Sequence, residues 1–331
     1  MDVLIVNQSE VPQLLPMREC VDVMERAFRS LALGEAILPL RPVMWLPEKV
    51  GALGMMPSYL GGIQSMGLKA ISVFPGNHGT AYDSHQGVVL LFETQHGRLL
   101  AIVDATSVTA IRTAAVSALA TKLLAQESAG DLAILGSGTE ARTHLEAMLV
   151  ARPIRRVRVW SRHAENAACF AAVESERHGI KVEVAPDARA AVAGADLICT
   201  TTSASEPILA GEWIAPGAHI NAVGSSVSFT RELDTAALVR SRLFVDRRES
   251  AQNEAGDFLI PKKEGAIGDD HIVGELGEVL LCSVPGRRSP DEITLFKSLG
   301  LAIEDLAAAQ HIYDHARQRG IGTWLPFGGS R

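Results

Sequence analysis

Short apolar runs alternate with helical segments over residues 130–246, at 132–135, 157–160, 182–184, 197–200, 220–223 and 243–245. No other feature restricts the fold as much. Strands apolar on successive residues are covered on both faces, and helical crossovers make them parallel. Six such strands predict an α/β domain with a doubly wound Rossmann sheet. Asp187 and Gly194 are placed to cap the helix ahead of the fourth strand.

The first strand runs into Gly136-Ser137-Gly138-Thr139-Glu140-Ala141. In such a G-x-G-x-x-A turn the first glycine permits the bend and the second lets backbone approach a pyrophosphate. The small alanine allows close helix–strand packing, and the helix N-terminus faces the phosphate charge. The second strand ends in Trp160-Ser161-Arg162-His163. NAD-binding domains usually carry Asp or Glu there, for the ribose 2′-hydroxyl. Here a guanidinium suited to bidentate phosphate recognition stands instead, which favours NADP(H) over NAD(H).

The two chain ends have a different texture. A helix is expected over 17–33, stopped by Gly34, and another over 107–124. Strands are expected near 41–46, 52–56, 66–73, 87–93 and 99–104, with a turn at Gln95-His96-Gly97-Arg98. Residues 1–7 lack a basic segment and read as a first strand, not a signal peptide. A last helix over 299–319, ended by Gly320, is expected to return to the N-terminal part. The predicted division is a discontinuous α+β domain, 1–124 with 303–331, and a Rossmann domain, 125–302.

Composition removes several classes of function. Lys plus Arg is 31 and Asp plus Glu is 38, a net charge of −7, so no basic face for nucleic acid is expected. No apolar run reaches the ~18 residues of a membrane span. Cys20, Cys169, Cys199 and Cys282 form no C-x-x-C pair and are expected to be reduced thiols of a cytoplasmic protein. With no H-E-x-x-H or comparable cluster, no metal is expected.

Two cations stand out. Lys69 lies in Met66-Gly67-Leu68-Lys69-Ala70-Ile71, and Arg112 in Thr109-Ala110-Ile111-Arg112-Thr113-Ala114. A buried unpaired cation is expensive, so each must meet an anion, either a protein carboxylate or a ligand. With Arg41 they would make a carboxylate clamp. His85, in Asp83-Ser84-His85-Gln86-Gly87, is a turn histidine with either a structural or a catalytic reading.

The sequence resembles the ornithine cyclodeaminase/mu-crystallin family over nearly its whole length. Ser84-His85-Gln86, Arg112-Thr113-Ala114-Ala115-Val116-Ser117, Glu206-Pro207-Ile208-Leu209, Asn221-Ala222-Val223-Gly224 and Phe296-Lys297-Ser298-Leu299-Gly300 carry the resemblance. Trp160-Ser161-Arg162 and Ala302-Ile303-Glu304-Asp305 match its ketimine reductase branch.

The resemblance implies that the discontinuous domain binds substrate and forms a homodimer. It implies that Arg41, Lys69 and Arg112 hold a substrate carboxylate. Ser84, His85 and Arg112 would lie near a nicotinamide. Ser137, Thr139 and Glu140 would line the pyrophosphate turn, and Ser161, Arg162, His163 and Asn166 the adenosine phosphate. Thr202, Ser203, Val223 and Ser298 would meet the remaining ribose and nicotinamide. Met56, Ser226 and Glu254 would lie at the substrate.

Two departures bear on the reaction. Ser226 stands where cyclodeaminases carry an Asp that activates water, and Gly54 where they carry a Glu for the distal amine. The resemblance therefore implies reduction of small 2-imino acids such as pyrroline-2-carboxylate or piperideine-2-carboxylate. Lys69 is the expected proton donor, with His85 or a water as the alternative. The alternatives are cyclodeaminase or alanine-dehydrogenase-like activity and, from another class, a non-catalytic small-ligand binder.

Overall fold

The computed structural model describes residues 2–77 and 79–328. The chain divides into a terminal unit, Met1–Arg112 with Gly300–Arg331, and a central unit, Thr113–Leu299.

The terminal unit holds β1 (Asp2–Val6), α1 (Val11–Leu14), α2 (Met17–Ala32), β2 (Ala36–Ile37), β3 (Val43–Trp45), β4 (Ala52–Leu60), β5 (Ser65–Val73), β6 (His85–Glu93) and β7 (Leu99–Asp104). From the C-terminus come α11 (Ala302–Arg319) and β16 (Thr323–Pro326). The strands form one sheet in the order β16-β1-β7-β6-β5-β4-β2, with β3 also on β4. Only β1 with β7 is a parallel pair among these.

One face of β4 and β5 is covered by α11. Gly54, Met56, Ser58 and Leu60 alternate with outward residues on β4, as a half-covered strand requires. On β5, Ser65 donates to Gln310 at 2.7 Å, a Cβ on Gly67 would meet Leu306 at 2.9 Å, and Lys69 reaches Asp305. Ser65, Gly67 and Lys69, two residues apart along the strand, thus meet the same helix.

Helix α3 (Ala105–Leu124) crosses the division between Arg112 and Thr113. The sequence instead places that boundary after residue 124. The second half of α3 belongs to the central unit because it bonds into it. Ser117 Oγ is 3.0 Å from His144 Nε2, and Thr121 Oγ1 accepts from Asn221 at 2.9 Å.

The central unit continues with β8 (Asp131–Leu135), α4 (Thr139–Ala151), β9 (Arg156–Trp160), α5 (Ala164–His178), β10 (Val182–Val184), α6 (Ala188–Val192), β11 (Leu197–Thr200) and β12 (His219–Ala222). Then come α7 (Thr235–Arg240), β13 (Ser241–Val245), α8 (Arg248–Glu254), α9 (Gly256–Lys263), β14 (Ile272–Glu275), α10 (Leu276–Leu280) and β15 (Ile293–Lys297). The sheet order is β10-β9-β8-β11-β12-β15-β13-β14, parallel throughout. The central unit is thus a doubly wound sheet, and the terminal unit is an α+β unit built from both chain ends.

The six expected strands are present, with β14 and β15 in addition. β15 inserts between β12 and β13, so the fifth and sixth expected strands are not neighbours. Asp187 caps α6 by accepting from Ala190 N at 2.7 Å. No helix among the described residues is long and apolar enough to cross a membrane.

Candidate functional site

Within the terminal unit the two cations of the sequence argument meet. Lys69, in mid-β5 opposite Met56 of β4, donates to Asp305 Oδ1 at 3.0 Å and to Thr109 Oγ1 at 2.7 Å. Arg112 donates from Nε to the same Asp305 oxygen at 3.1 Å and from Nη1 to Glu304 Oε2 at 2.7 Å. All four charged side chains are almost wholly buried, and their charges cancel.

The anions that face Lys69 and Arg112 are therefore protein carboxylates. Charge burial at Lys69 and Arg112 is answered within the protein and does not by itself require a substrate carboxylate. Glu304 and Asp305 occupy the first turn of α11, where backbone N–H groups favour negative charge. Glu304 Oε1 also accepts from Leu301 N at 2.9 Å. The same test that singles out Lys69 finds this pair, since Leu299-Gly300-Leu301-Ala302-Ile303-Glu304-Asp305-Leu306 is apolar apart from its two acids.

Burial is the largest influence on Lys69 and lowers its pKa from 10.5 to about 8, against the pull of Asp305. Its two bonds use two of its three N–H donors. An ammonium with a pKa near neutrality and a remaining donor suits proton delivery.

The other expected residues are placed less tightly. Arg41 is half-buried between β2 and β3, and Pro42 O beside it accepts from Met55 N at 3.0 Å. Met56 is buried on the Lys69 face of β4. Ser84 and exposed His85 pair with each other, Oγ to Nδ1 at 3.0 Å. His85 precedes Val89, the register partner of Lys69, by four residues, or about 14 Å of strand. The structure does not bring His85 to Lys69.

In the central unit the turn after β8 has the backbone that phosphate binding needs. Gly136 has φ +125°, and a Cβ there would lie 2.7 Å from Thr201 O. At Gly138 a Cβ would meet nothing within 4 Å, and Thr139 opens α4. Ser137 Oγ donates to Ser161 Oγ at 3.0 Å, tying the turn to the end of β9. Arg162, His163 and Asn166 are exposed at the start of α5. The Glu140 carboxylate lies 3.7 Å from His144 Nδ1.

At the C-terminal ends of β11, β12 and β15, Ser298 Oγ is buried with no partner. Val223 is buried nearby in the chain order of β12. Thr202 is committed to protein. It gives its N–H and hydroxyl to Glu232 Oε1 at 2.7 and 2.6 Å, while Ser203 beside it is exposed. Glu232 Oε2 accepts from Thr200 at 2.7 Å and from Gly224 N at 2.7 Å. Asp257 holds the Glu232 N–H at 2.8 Å and ion-pairs with buried Lys297 at 2.9 Å.

Burial, then Asp257, raises the Glu232 pKa. Sequence reasoning missed this group. Glu232 stands between Arg231 and Asp234 in Thr230-Arg231-Glu232-Leu233-Asp234, so its surroundings in the chain give no signal of burial. Exposed Ser226 and half-buried Glu254 flank the same region, where Gly256 packs on Val227 O and Thr230 O.

The glycine turn, the helix N-terminus and the orphaned Ser298 hydroxyl fit a dinucleotide. A family model described as the ornithine cyclodeaminase/mu-crystallin family matches residues 1–320. The chain belongs to that family.

The ketimine reductase mu-crystallin of Mus musculus is 44% identical over 282 residues, 85% of this chain and 86% of that protein. The structure of Thermococcus litoralis Δ1-pyrroline-2-carboxylate reductase with NADH and L-proline superimposes with a TM-score of 0.95 at 38% identity, covering 97% and 99% of the two chains. An archaeal alanine dehydrogenase dimer with bound NAD gives a TM-score of 0.93 at 33% identity, covering 99% and 100%.

Proposed function

We propose that this chain is a nicotinamide-dependent reductase of small 2-imino acids, with cyclic ketimines such as pyrroline-2-carboxylate or piperideine-2-carboxylate as substrates. The observation that carries the proposal is the buried Lys69 ammonium, held by Asp305 and Thr109 with its pKa near 8. The Thermococcus reductase with NADH and proline, at high coverage, supports the substrate class.

When bound, the dinucleotide supplies a hydride to the imine carbon. The chain's residues do the rest. Arg112, fixed by Glu304 and Asp305, and Arg41 hold the substrate carboxylate, which sets the position of the adjacent C=N bond. Lys69 places a proton on the imine nitrogen, because a protonated imine is the better electrophile. Asp305 steadies the ammonium against burial.

Gly136, Ser137, Gly138 and Thr139 cradle the pyrophosphate. Ser161, Arg162, His163 and Asn166 take the adenosine end, and Ser298 a ribose or amide group. NADP(H) preference belongs to this proposal, on the exposed Arg162 and the lack of a carboxylate at the end of β9. So do a cytoplasmic location and a homodimer, the latter supported by the archaeal dimer.

The test is consumption of NADPH and of NADH with pyrroline-2-carboxylate. Turnover favouring NADPH is expected. Arg162→Ala should lose about ten- to hundredfold in kcat/KM for NADPH and little for NADH, the range for a charge-assisted contact. Unchanged preference in the variant would remove Arg162 from the phosphate site. Absence of turnover with binding retained would leave a small-ligand carrier.

A further inference from the structure

Among the described residues the fold brings Glu19 to His311 and His315, a cluster of metal-ligating side chains that the proposed reaction does not use. His311 and His315 lie one turn apart on α11, where residues four apart are neighbours on the helix surface. Glu19 comes from α2, which packs on α11. The Nε2 of His311 is 3.1 Å from Glu19 Oε2, and Nδ1 of His315 is 3.7 Å from the same oxygen. The three ligand atoms all lie within 4.8 Å of one another.

We propose that Glu19, His311 and His315 bind a divalent transition-metal ion of the zinc type and clip α2 to α11. Metal–ligand bonds of about 2.0–2.1 Å in a tetrahedron put ligand atoms about 3.3 Å apart. The two separations from Glu19 Oε2 straddle that edge, and the third pair lies within 4.8 Å. Two imidazoles with one carboxylate suit zinc, cobalt or nickel, whereas magnesium and calcium take oxygen ligands.

The two imidazole rings lie with centroids 4.0 Å apart and are tilted 37° to one another, so both rings sit on one side of α11 facing Glu19. Arg26 is the nearby cation that opposes the ion. Three protein ligands leave a fourth position for water.

A metal that binds only the folded chain stabilises it by mass action. The full-length protein, without a histidine tag and stripped by chelator, is titrated with zinc chloride against a chromophoric chelator and melted at each zinc level. One bound equivalent and a melting temperature that rises with zinc are expected. Glu19→Gln keeps an acceptor for His311 but loses the anionic ligand.

Glu19→Gln and His315→Ala should each weaken binding beyond the about 10–100-fold typical of losing an outer partner of a metal site. Both should also abolish the zinc-dependent rise while melting near the wild type without metal. A Cys169→Ser/Cys282→Ser variant, lacking the exposed thiols, should bind zinc as the wild type does. No bound zinc, affinity unchanged by the first two substitutions, or affinity lost with the thiols would each overturn the proposal.

Discussion

Asp305 Oδ1 accepts from both Lys69 and Arg112, so neither cation can be altered without disturbing the other. Breaking a buried ion pair from one side strands the partner, which typically costs about 3–5 kcal/mol. Arg112→Ala should therefore lower unfolding free energy by about that amount, measured by denaturant titration, as well as abolish turnover. Unchanged stability would mean that the carboxylates of α11 do not depend on Arg112. Lys69 gives a pH prediction. In the imine-reducing direction kcat/KM should fall as pH rises through about 8, the folded pKa of the acid. Lys69→Met should lose that limb along with most activity. The stability sign follows from the same shift. Between about 8 and 10.5 the unfolded chain keeps a proton that the folded chain has released, so this group's contribution to stability rises with pH there. The cations are legible in sequence because a lone charge in an apolar run is conspicuous. Glu304 and Asp305 are conspicuous in the same way, but that they answer these two cations is not legible, since Asp305 lies far along the chain and reaches Lys69 through the packing of β5 on α11.

At the scale of elements, the apolar strands of the central sheet are legible to within a residue or two. β15 is the instructive miss. Ile293-Thr294-Leu295-Phe296-Lys297 ends in a lysine that looks solvent-facing, yet Lys297 is 1% exposed and answered by Asp257. The last helix starts at Ala302 and not at 299, because residues 298–301 first turn. Gly300 has φ +79°, and a Cβ there would lie 2.4 Å from Arg112 Nη1. Glu232 ties the ends of β11 and β12 together through Thr200, Thr202 and Gly224. Glu232→Gln would turn an amide NH2 toward groups that are themselves donors. Each hydrogen bond to a charged acceptor is worth about 1.5–3 kcal/mol. The variant should melt lower and bind NADPH at least about tenfold more weakly, read by fluorescence titration, with weaker binding persisting well below its melting temperature. Dinucleotide affinity equal to wild type would make Glu232 a stability residue alone.

For the whole molecule, the discontinuous organisation is legible because the texture of the chain changes near residue 130 and a helix follows the last strand. The exact division is not, since α3 serves both units without a break in its pattern. Membership of a family with reductase and cyclodeaminase members leaves the reaction to a few positions. Exposed Ser226 and buried Gly54 offer no carboxylate. Gly54 shares a strand face with Met56, and a Cβ there would sit 3.6 Å from Ile71 Cγ2, an ordinary van der Waals contact. Losing ammonia from ornithine needs a base to activate the attacking amine or water and an anion to hold the distal amine. Reducing a preformed imine needs neither. Incubation with ornithine and NAD(P)+ should release no ammonia at rates comparable to imine reduction. Ser226→Asp alone should not create the activity, because the distal amine still lacks a partner at Gly54. Adding Gly54→Glu supplies that partner, and any ammonia release should appear only in the double variant. Ammonia from the unaltered chain would place it with the cyclodeaminases, whatever its rate with pyrroline-2-carboxylate.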